Sequence, residues 1–298
     1  MEFHQLRYFV AIVRHGSFTR AAEHEHVAQP SVSEQIRKLE EELGAPLFDR
    51  RGRRVRLTPP GERFLVHAQR ILADLDGARQ EVEEALGSER GRVALGAIPT
   101  VAPYLLPRLL AACAQAHPGI TVTVKEELTS SLVRQLSGGE IDLALMSFPV
   151  TQAELTAEPL FEDRMLLAVS RHHRLARRAR ARVSLHEVAG EPFLLLKDGH
   201  CFRNDVLEIC KNLKVHPQVV FEGGQFDTLV AMAAAGAGVT LLPAMARDRY
   251  RHVGVKLLEF LPPQPARTVG VARLTGRFQS IAARAFFDVL KETCKSGE

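Results

Sequence analysis

Phe64, Ala68, Ile71, Leu75, Ala78, Val82 and Ala85 recur at spacings of 4, 3, 4, 3, 4 and 3, and this stripe constrains the fold more than any other feature of the chain. It is a heptad seam sustained for about three heptads along one side of a helix, and such a seam needs a partner helix to cover it. Thr58 can cap the helix and Pro59 suits its first position, while Gly87-Ser88 ends it and Gly91 opens a stretch of different composition. The partner is either the protein's own next domain or the same helix of a second subunit.

A chain of 298 residues suits two or three domains. No apolar run approaches the ~20 residues needed to span a bilayer, and Met1-Glu2-Phe3-His4-Gln5 lacks the basic-then-apolar order of a signal peptide. Four cysteines in a chain this long do not make a secreted disulfide scaffold. These features predict a soluble cytoplasmic protein with reduced thiols and no membrane partner. The net charge of +4 says little about a polyanionic partner, but its distribution says more. Arg50, Arg51, Arg53, Arg54 and Arg56 crowd one short stretch, and Arg171, Arg174, Arg177, Arg178, Arg180 and Arg182 form a second run that reads as solvated surface.

Ahead of the linker helix, Leu6, Phe9, Val10 and Val13 predict an amphipathic helix over 3–14. Gly16 ends it, Ser17 can cap the next helix, and Ala21 and Ala22 there permit close contact. Pro30 fits the first turn of a third helix with Val32, Ile36, Leu39 and Leu43 as its buried stripe and Gly44 as its stop. The opposite face presents Gln29, Pro30, Ser31, Ser33, Glu34 and Gln35, then Arg37 and Lys38. In a major groove, Ser, Gln and Glu can read base edges while Arg and Lys neutralise phosphates. A small three-helix domain with a solvated face would present the same pattern. Residues 47–58 tip the balance, because they read as a β-hairpin with Gly52 near its turn and five arginines forming a cationic wing. Double-stranded DNA is the expected partner, and a dimer through the linker helix would address a pseudo-palindromic site.

Beyond Gly91, strands marked by Val93, Leu95 and Ala97, by Ile120, Val122 and Val124, and by 141–146 alternate with helices marked by Leu105, Leu109, Ala112 and Cys113 and by residues 130–136. That alternation indicates a parallel α/β domain, whose ligands bind beyond the carboxyl ends of strands. Thr100 and Thr129 occupy such strand-to-helix turns, although each alone reads first as a helix cap. A second lobe starts at 164–170, includes strands at 218–222 and 238–243, and returns to the first at 267–272, so two crossings frame a hinged cleft. The expected division is 1–58 for DNA binding, 59–90 for the linker helix, 91–163 with 268–298 for the first effector lobe, and 164–267 for the second.

The second lobe carries Cys201 and Cys210. Nine residues of helix would hold them about 13 Å apart, whereas a disulfide needs Cα atoms about 4.4–6.8 Å apart, so bonding would require refolding. Cys201 follows Asp198-Gly199-His200, opens the expected helix and lies two residues from Arg203, a setting that lowers a thiol pKa. Phe202, Val206, Ile209, Cys210 and Leu213 share one helical face, so Cys210 should be buried. A reactive thiol with a sheltered resolving thiol fits this division, and so do two cysteines that merely pack. No metal-ligand spacing accompanies them, and no cofactor or metal is expected. Cys113 reads as core, and Cys294 receives no role.

Ala21-Ala22, Gln29-Pro30-Ser31-Val32-Ser33, Ile36-Leu39-Glu40-Leu43-Gly44, Leu47-Phe48-Asp49-Arg50 and Arg56-Leu57-Thr58-Pro59-Pro60-Gly61 resemble the N-terminal signature of the LysR-type transcriptional regulators, and the resemblance extends over the whole chain. It implies an α+β multi-domain fold: a winged helix-turn-helix, a dimerising linker helix and a two-lobed α/β effector domain like a periplasmic binding protein, usually in homotetramers. It also implies Gln29, Pro30, Ser33 and Arg53 as DNA contacts and RNA polymerase as a further partner. Residues 98–107, Asp198-Gly199-His200-Cys201-x-Arg203, Cys210 at its spacing and residues 233–243 are similar to the OxyR branch, the peroxide sensors of that family. That similarity implies Cys201 as peroxidatic thiol, Cys210 as resolving thiol, Thr100, Thr129 and His200 as groups that bind and polarise peroxide, and Arg267 as a stabiliser of the thiolate. The alternative on the same scaffold is a small anionic metabolite in the interlobe cleft, with Thr100 and Thr129 as ligands and structural cysteines. A thiol peroxidase has no use for a recognition helix and wing, and a solute-binding protein has no use for the N-terminal domain.

Overall fold

A computed structural model describes residues 1–49, 55–85, 91–177, 182–212, 214–277 and 279–295. The N-terminal unit packs α1 (Phe3–His15), α2 (Phe18–His24) and α3 (Gln29–Leu43), followed by the paired strands β1 (Phe48–Asp49) and β2 (Arg56–Leu57). Ser17 accepts the Arg20 amide as the cap of α2, and Gly44 ends α3 at φ 67°, a left-handed value that suits glycine. Val32, Ile36 and Leu39 are fully buried, but Leu43 is exposed because it lies past the last turn that faces the core.

The linker helix α4 (Pro59–Ala85) starts where Thr58 Oγ1 accepts the Gly61 amide at 3.1 Å. A Cβ on Gly61 would stand 2.2 Å from the Leu47 carbonyl oxygen, so glycine lets the helix start directly against the wing. The heptad seam divides along its length. Phe64, Ala68 and Ile71 join the core of the N-terminal unit, with the Phe64 ring 5.2 Å from Phe9, whereas Ala78 and Val82 face solvent.

The effector region runs β3 (Gly91–Ala97), α5 (Ala102–Ala116), β4 (Ile120–Glu126), α6 (Thr129–Ser137), β5 (Leu143–Ser147), β6 (Leu155–Ser170), β7 (Arg182–Val183), β8 (Pro192–Leu196), α7 (Cys201–Asn212), β9 (Gln218–Gly223), α8 (Phe226–Ala234), β10 (Thr240–Pro243), α9 (Arg247–Tyr250), β11 (Val255–Phe260), β12 (Ala266–Leu274) and α10 (Ile281–Lys295). The main sheet has the order β4-β3-β5-β12-β6-β11-β7, with β10 also on β6, and β8 pairs β9 separately. Strands β3, β4 and β5 are mutually parallel, as the alternating pattern predicts.

Strand β6 is the spine of both lobes. Its first part pairs antiparallel with β12 in lobe I, and its last residues, 165–170, pair with β10 and β11 in lobe II. The ladder with β12 shifts register between Val269 and Gly270, opposite Phe161 and Pro159. Proline donates no amide and is tolerated in a strand at such an irregularity. Each lobe has its own buried apolar cluster. Among the described residues no helix is long and apolar enough to cross a membrane.

Candidate functional site

Two surfaces carry the residues with functional potential. On the first, Gln29, Pro30 and Ser31 are exposed at the start of α3, and Gln29 Nε2 donates to Ser33 Oγ at 2.8 Å. Gln35 is turned toward α1, where its Oε1 accepts from Gln5 at 3.1 Å. Arg37 is not a free cation, because Glu34 takes it through two hydrogen bonds (2.7 and 3.0 Å) and Glu41 binds its other nitrogen. The helical spacings i,i+3 and i,i+4 that make α3 stable also neutralise this arginine. Glu40 accepts the amides of Leu47 and Phe48 at 2.8 and 3.2 Å and so fixes the wing to the helix. Arg56 is exposed on β2, while Arg53 and the turn of the wing lie outside the described residues.

The second surface is a cluster of polar groups between the lobes, gathered around Cys201, the first residue of α7. Phe202, Val206 and Cys210 on the same helix enter the core of lobe II, whereas Cys201 packs against the core of lobe I. The helix between the two thiols is intact and both are free. Its nine-residue separation corresponds to about 13 Å along the axis.

Arg267, buried on β12, organises the pocket. Its guanidinium donates to Asp163 Oδ2 at 3.0 and 3.1 Å, to Thr100 Oγ1 at 2.8 Å and to the Thr100 carbonyl at 3.0 Å, and it stacks over the Phe202 ring at 4.8 Å. Thr100 therefore serves the arginine rather than a helix end, since Val101 caps α5. Thr129 does not cap α6 either, because Leu128 holds that position. The Thr129 hydroxyl is buried and makes no well-formed hydrogen bond, but it lies close enough to the Cys201 thiol to favour the thiolate slightly, against the larger opposing effect of burial. His200 is buried with Nδ1 unpartnered, and burial, then Lys197, keeps its pKa below the ordinary value, which favours the neutral ring. Thr100 and His200 also line an interlobe cleft of about 120 Å³ with Tyr104, Glu126, Asp227 and Arg249.

The expected low thiol pKa is not found. Burial pushes the Cys201 thiol above its ordinary value, outweighing the pull of Arg267, the Thr129 hydroxyl and the Phe202 amide, and the Asp205 carboxylate raises it further. Arg203, expected beside the thiol, instead donates to the Leu196 carbonyl at 3.1 Å and pairs with Glu222 at 2.7 Å. On a helix, residues two apart point to different sides, so adjacency in sequence misleads here. Cys210 is fully buried and held at about 11.

Sequence reasoning overlooked Asp163, Ser147 and Asp205. Asp163 and Ser147 reach the pocket from distant strands and have no local signal. Asp205 lies four residues after Cys201 on one helix, a spacing that marks a shared face. Ser147 Oγ donates to its Oδ2 at 3.1 Å, bridging lobe I to lobe II. Among the described residues no group of three or more His, Cys, Asp or Glu is arranged to hold a metal ion.

Residues 3–62 match the bacterial regulatory helix-turn-helix protein family of lysR type, and residues 86–295 match the LysR substrate binding domain. The DNA-binding transcriptional dual regulator OxyR of Escherichia coli K12 is 35% identical over 289 residues, covering 95% of this chain and 94% of the relative. Full-length OxyR of Pseudomonas aeruginosa, solved as a variant, superposes with a TM-score of 0.80 at 31% identity, covering 99% of this chain and 95% of that one. A Corynebacterium glutamicum OxyR mutant solved in its H2O2-bound form gives a TM-score of 0.66 at 27% identity, over 99% of this chain and 93% of that one. With a helix-turn-helix and wing, a linker helix and two lobes around a polar cleft, the chain belongs to the LysR family of DNA-binding transcriptional regulators, which are not enzymes.

Proposed function

We propose that this regulator senses hydrogen peroxide through Cys201 and records it as a disulfide with Cys210. One observation carries this best: a thiol borne on lobe II packs against lobe I within reach of the Arg267 cation and the Thr129 hydroxyl, and the other thiol of its helix is locked in the core of lobe II. The names of its relatives support the same chemistry. Cys201 sulfur attacks one peroxide oxygen, the O–O bond breaks, and the other oxygen leaves as water once protonated. The resulting sulfenic acid is then attacked by Cys210 sulfur, which releases a second water and forms the disulfide. Thr129, His200 and Thr100 provide polar groups for peroxide, and the Arg267 cation stabilises the thiolate.

Bonding requires α7 to unwind, which frees the interlobe packing and alters how the lobes bear on the DNA-binding half. Two copies joined through the exposed part of the α4 seam would present two α3 helices to a pseudo-palindromic site, in dimers that pair into tetramers, and regulation would act on RNA polymerase. The anionic-metabolite alternative is less favoured, because Arg249, the arginine lining the cleft, is held by both Asp227 oxygens at 3.1 Å. Stoichiometric peroxide on the reduced protein, followed by free-thiol counting and disulfide mapping by mass spectrometry, should yield a Cys201–Cys210 bond. Absence of that bond would sink the proposal.

A further inference from the structure

We propose that Asp205 is the proton relay of the sensing thiol: it takes the Cys201 proton as the sulfur attacks and returns it to the departing oxygen. This rests on the peroxide-sensing reading above. Cys201 opens α7 and Asp205 follows one turn later, which sets their Cβ atoms about 6 Å apart on one face. The carboxylate is positioned from the other lobe, where Ser147 on β5 donates to Oδ2 at 3.1 Å. Facing this pair are Arg267 from β12, Asp163 from β6, Thr129 from α6 and Glu208 from α7 itself.

The charge balance explains why a relay is needed. Arg267 is the cation of the pocket, and Asp163 already pairs with it at 3.0 Å. Ionising both Cys201 and Asp205 would add two negative charges to a half-buried space, and each disfavours the other. Moving the thiol proton to the carboxylate creates the nucleophile while the charge of the pocket stays constant. Burial raises both groups above their ordinary values and brings the carboxyl closer to the range where it can hold a proton.

The step balances without another reagent. The S–H bond breaks and its proton moves to an Asp205 oxygen. An S–O bond forms to one oxygen of hydrogen peroxide, the O–O bond breaks, and its electron pair leaves with the other oxygen. That oxygen takes the proton back from Asp205 and departs as water, with sulfur oxidised to the sulfenic acid, peroxide reduced, and Asp205 restored.

Asp205→Asn in the reduced full-length protein separates a relay from a repulsive neighbour. Two quantities are read: the Cys201 thiolate absorbance against pH, with Cys201→Ser as the blank, and the second-order rate with hydrogen peroxide. The relay predicts that the thiolate forms at lower pH in Asp205→Asn, because a repulsive charge is gone, yet the reaction at neutral pH slows by about 100-fold. Ser147→Ala keeps the carboxyl but frees it, and should slow the reaction by a smaller factor. An Asp205→Asn protein reacting at the wild-type rate or faster overturns the relay alone. A wild-type thiol inert to peroxide overturns both the relay and the sensing reading. Should Asp205→Asn fail to fold, an unchanged rate in Ser147→Ala overturns the relay.

Discussion

Arg267 shows how one buried side chain can hold a pocket together. It joins Asp163 on β6, Thr100 before α5 and Phe202 on α7, and both members of its ion pair are 1% exposed. Breaking a buried pair from one side leaves an uncompensated charge, so Arg267→Met should destabilise the protein by about 3–5 kcal/mol in urea unfolding. The same variant should raise the pH at which the Cys201 thiolate forms, since Arg267 is the main group pulling that pKa down. Cys210 and Cys294 give a pH dependence of stability. Burial holds both at about 11, above the 9.0 of an ordinary thiol, so the native state keeps protons that the unfolded chain would release. Their contribution is intact below pH 9 and is lost as pH rises through 11, on the order of 2 kcal/mol for each thiol. Urea midpoints compared at the two ends of that window should fall with pH, and by less in Cys210→Ala. Cys201 and Thr100 were legible because they lie at a helix start and a strand end, and Cys210 because it shares the apolar face of α7. The sign of the Cys201 shift was not, because burial is a property of the closed lobes and outweighs an arginine 66 residues away in the chain.

Among the elements, α7 carries the proposed switch. Unwinding it is required for the proposed bond but not for attack on peroxide, so its helical stability should control the second step alone. Asn204 is exposed on α7, and Asn204→Ala improves helix propensity by about half a kcal/mol. Rapid-quench trapping of the sulfenic acid should therefore show it persisting about twofold longer in Asn204→Ala, with unchanged formation. Element by element, the helices of the N-terminal unit were readable from apolar spacing because each buries a single stripe. Strand β6 was readable only from 164 onward. Its earlier part includes Glu158, Pro159, Glu162 and Asp163, and a strand that serves as a ribbon between lobes has no single buried face to impose alternation. The ion pairs of Arg37 were legible for the opposite reason, since its partners Glu34 and Glu41 lie in plain view on the same helix.

At the scale of the whole molecule, the α4 seam is half used. Phe64, Ala68 and Ile71 are committed to the N-terminal unit, which leaves Leu75, Ala78 and Val82 for the proposed second copy. Val82 is 60% exposed, so Val82→Glu should leave the thermal transition of the single chain nearly unchanged while shifting light-scattering mass toward the monomer and weakening DNA binding. The anchoring of α7 in the core of lobe II also has an electrochemical meaning. If the proposed disulfide draws Phe202 and Val206 out of that core, it forfeits about 1.5–3 kcal/mol for each side chain, a loss that the dithiol does not bear. For a two-electron couple about 1.4 kcal/mol corresponds to 30 mV, so the packing of lobe II pushes the midpoint potential upward by something near 60–130 mV. A couple so biased is readily returned to the dithiol by ordinary thiol reductants, which gives the proposed signal a built-in expiry once the oxidant is gone.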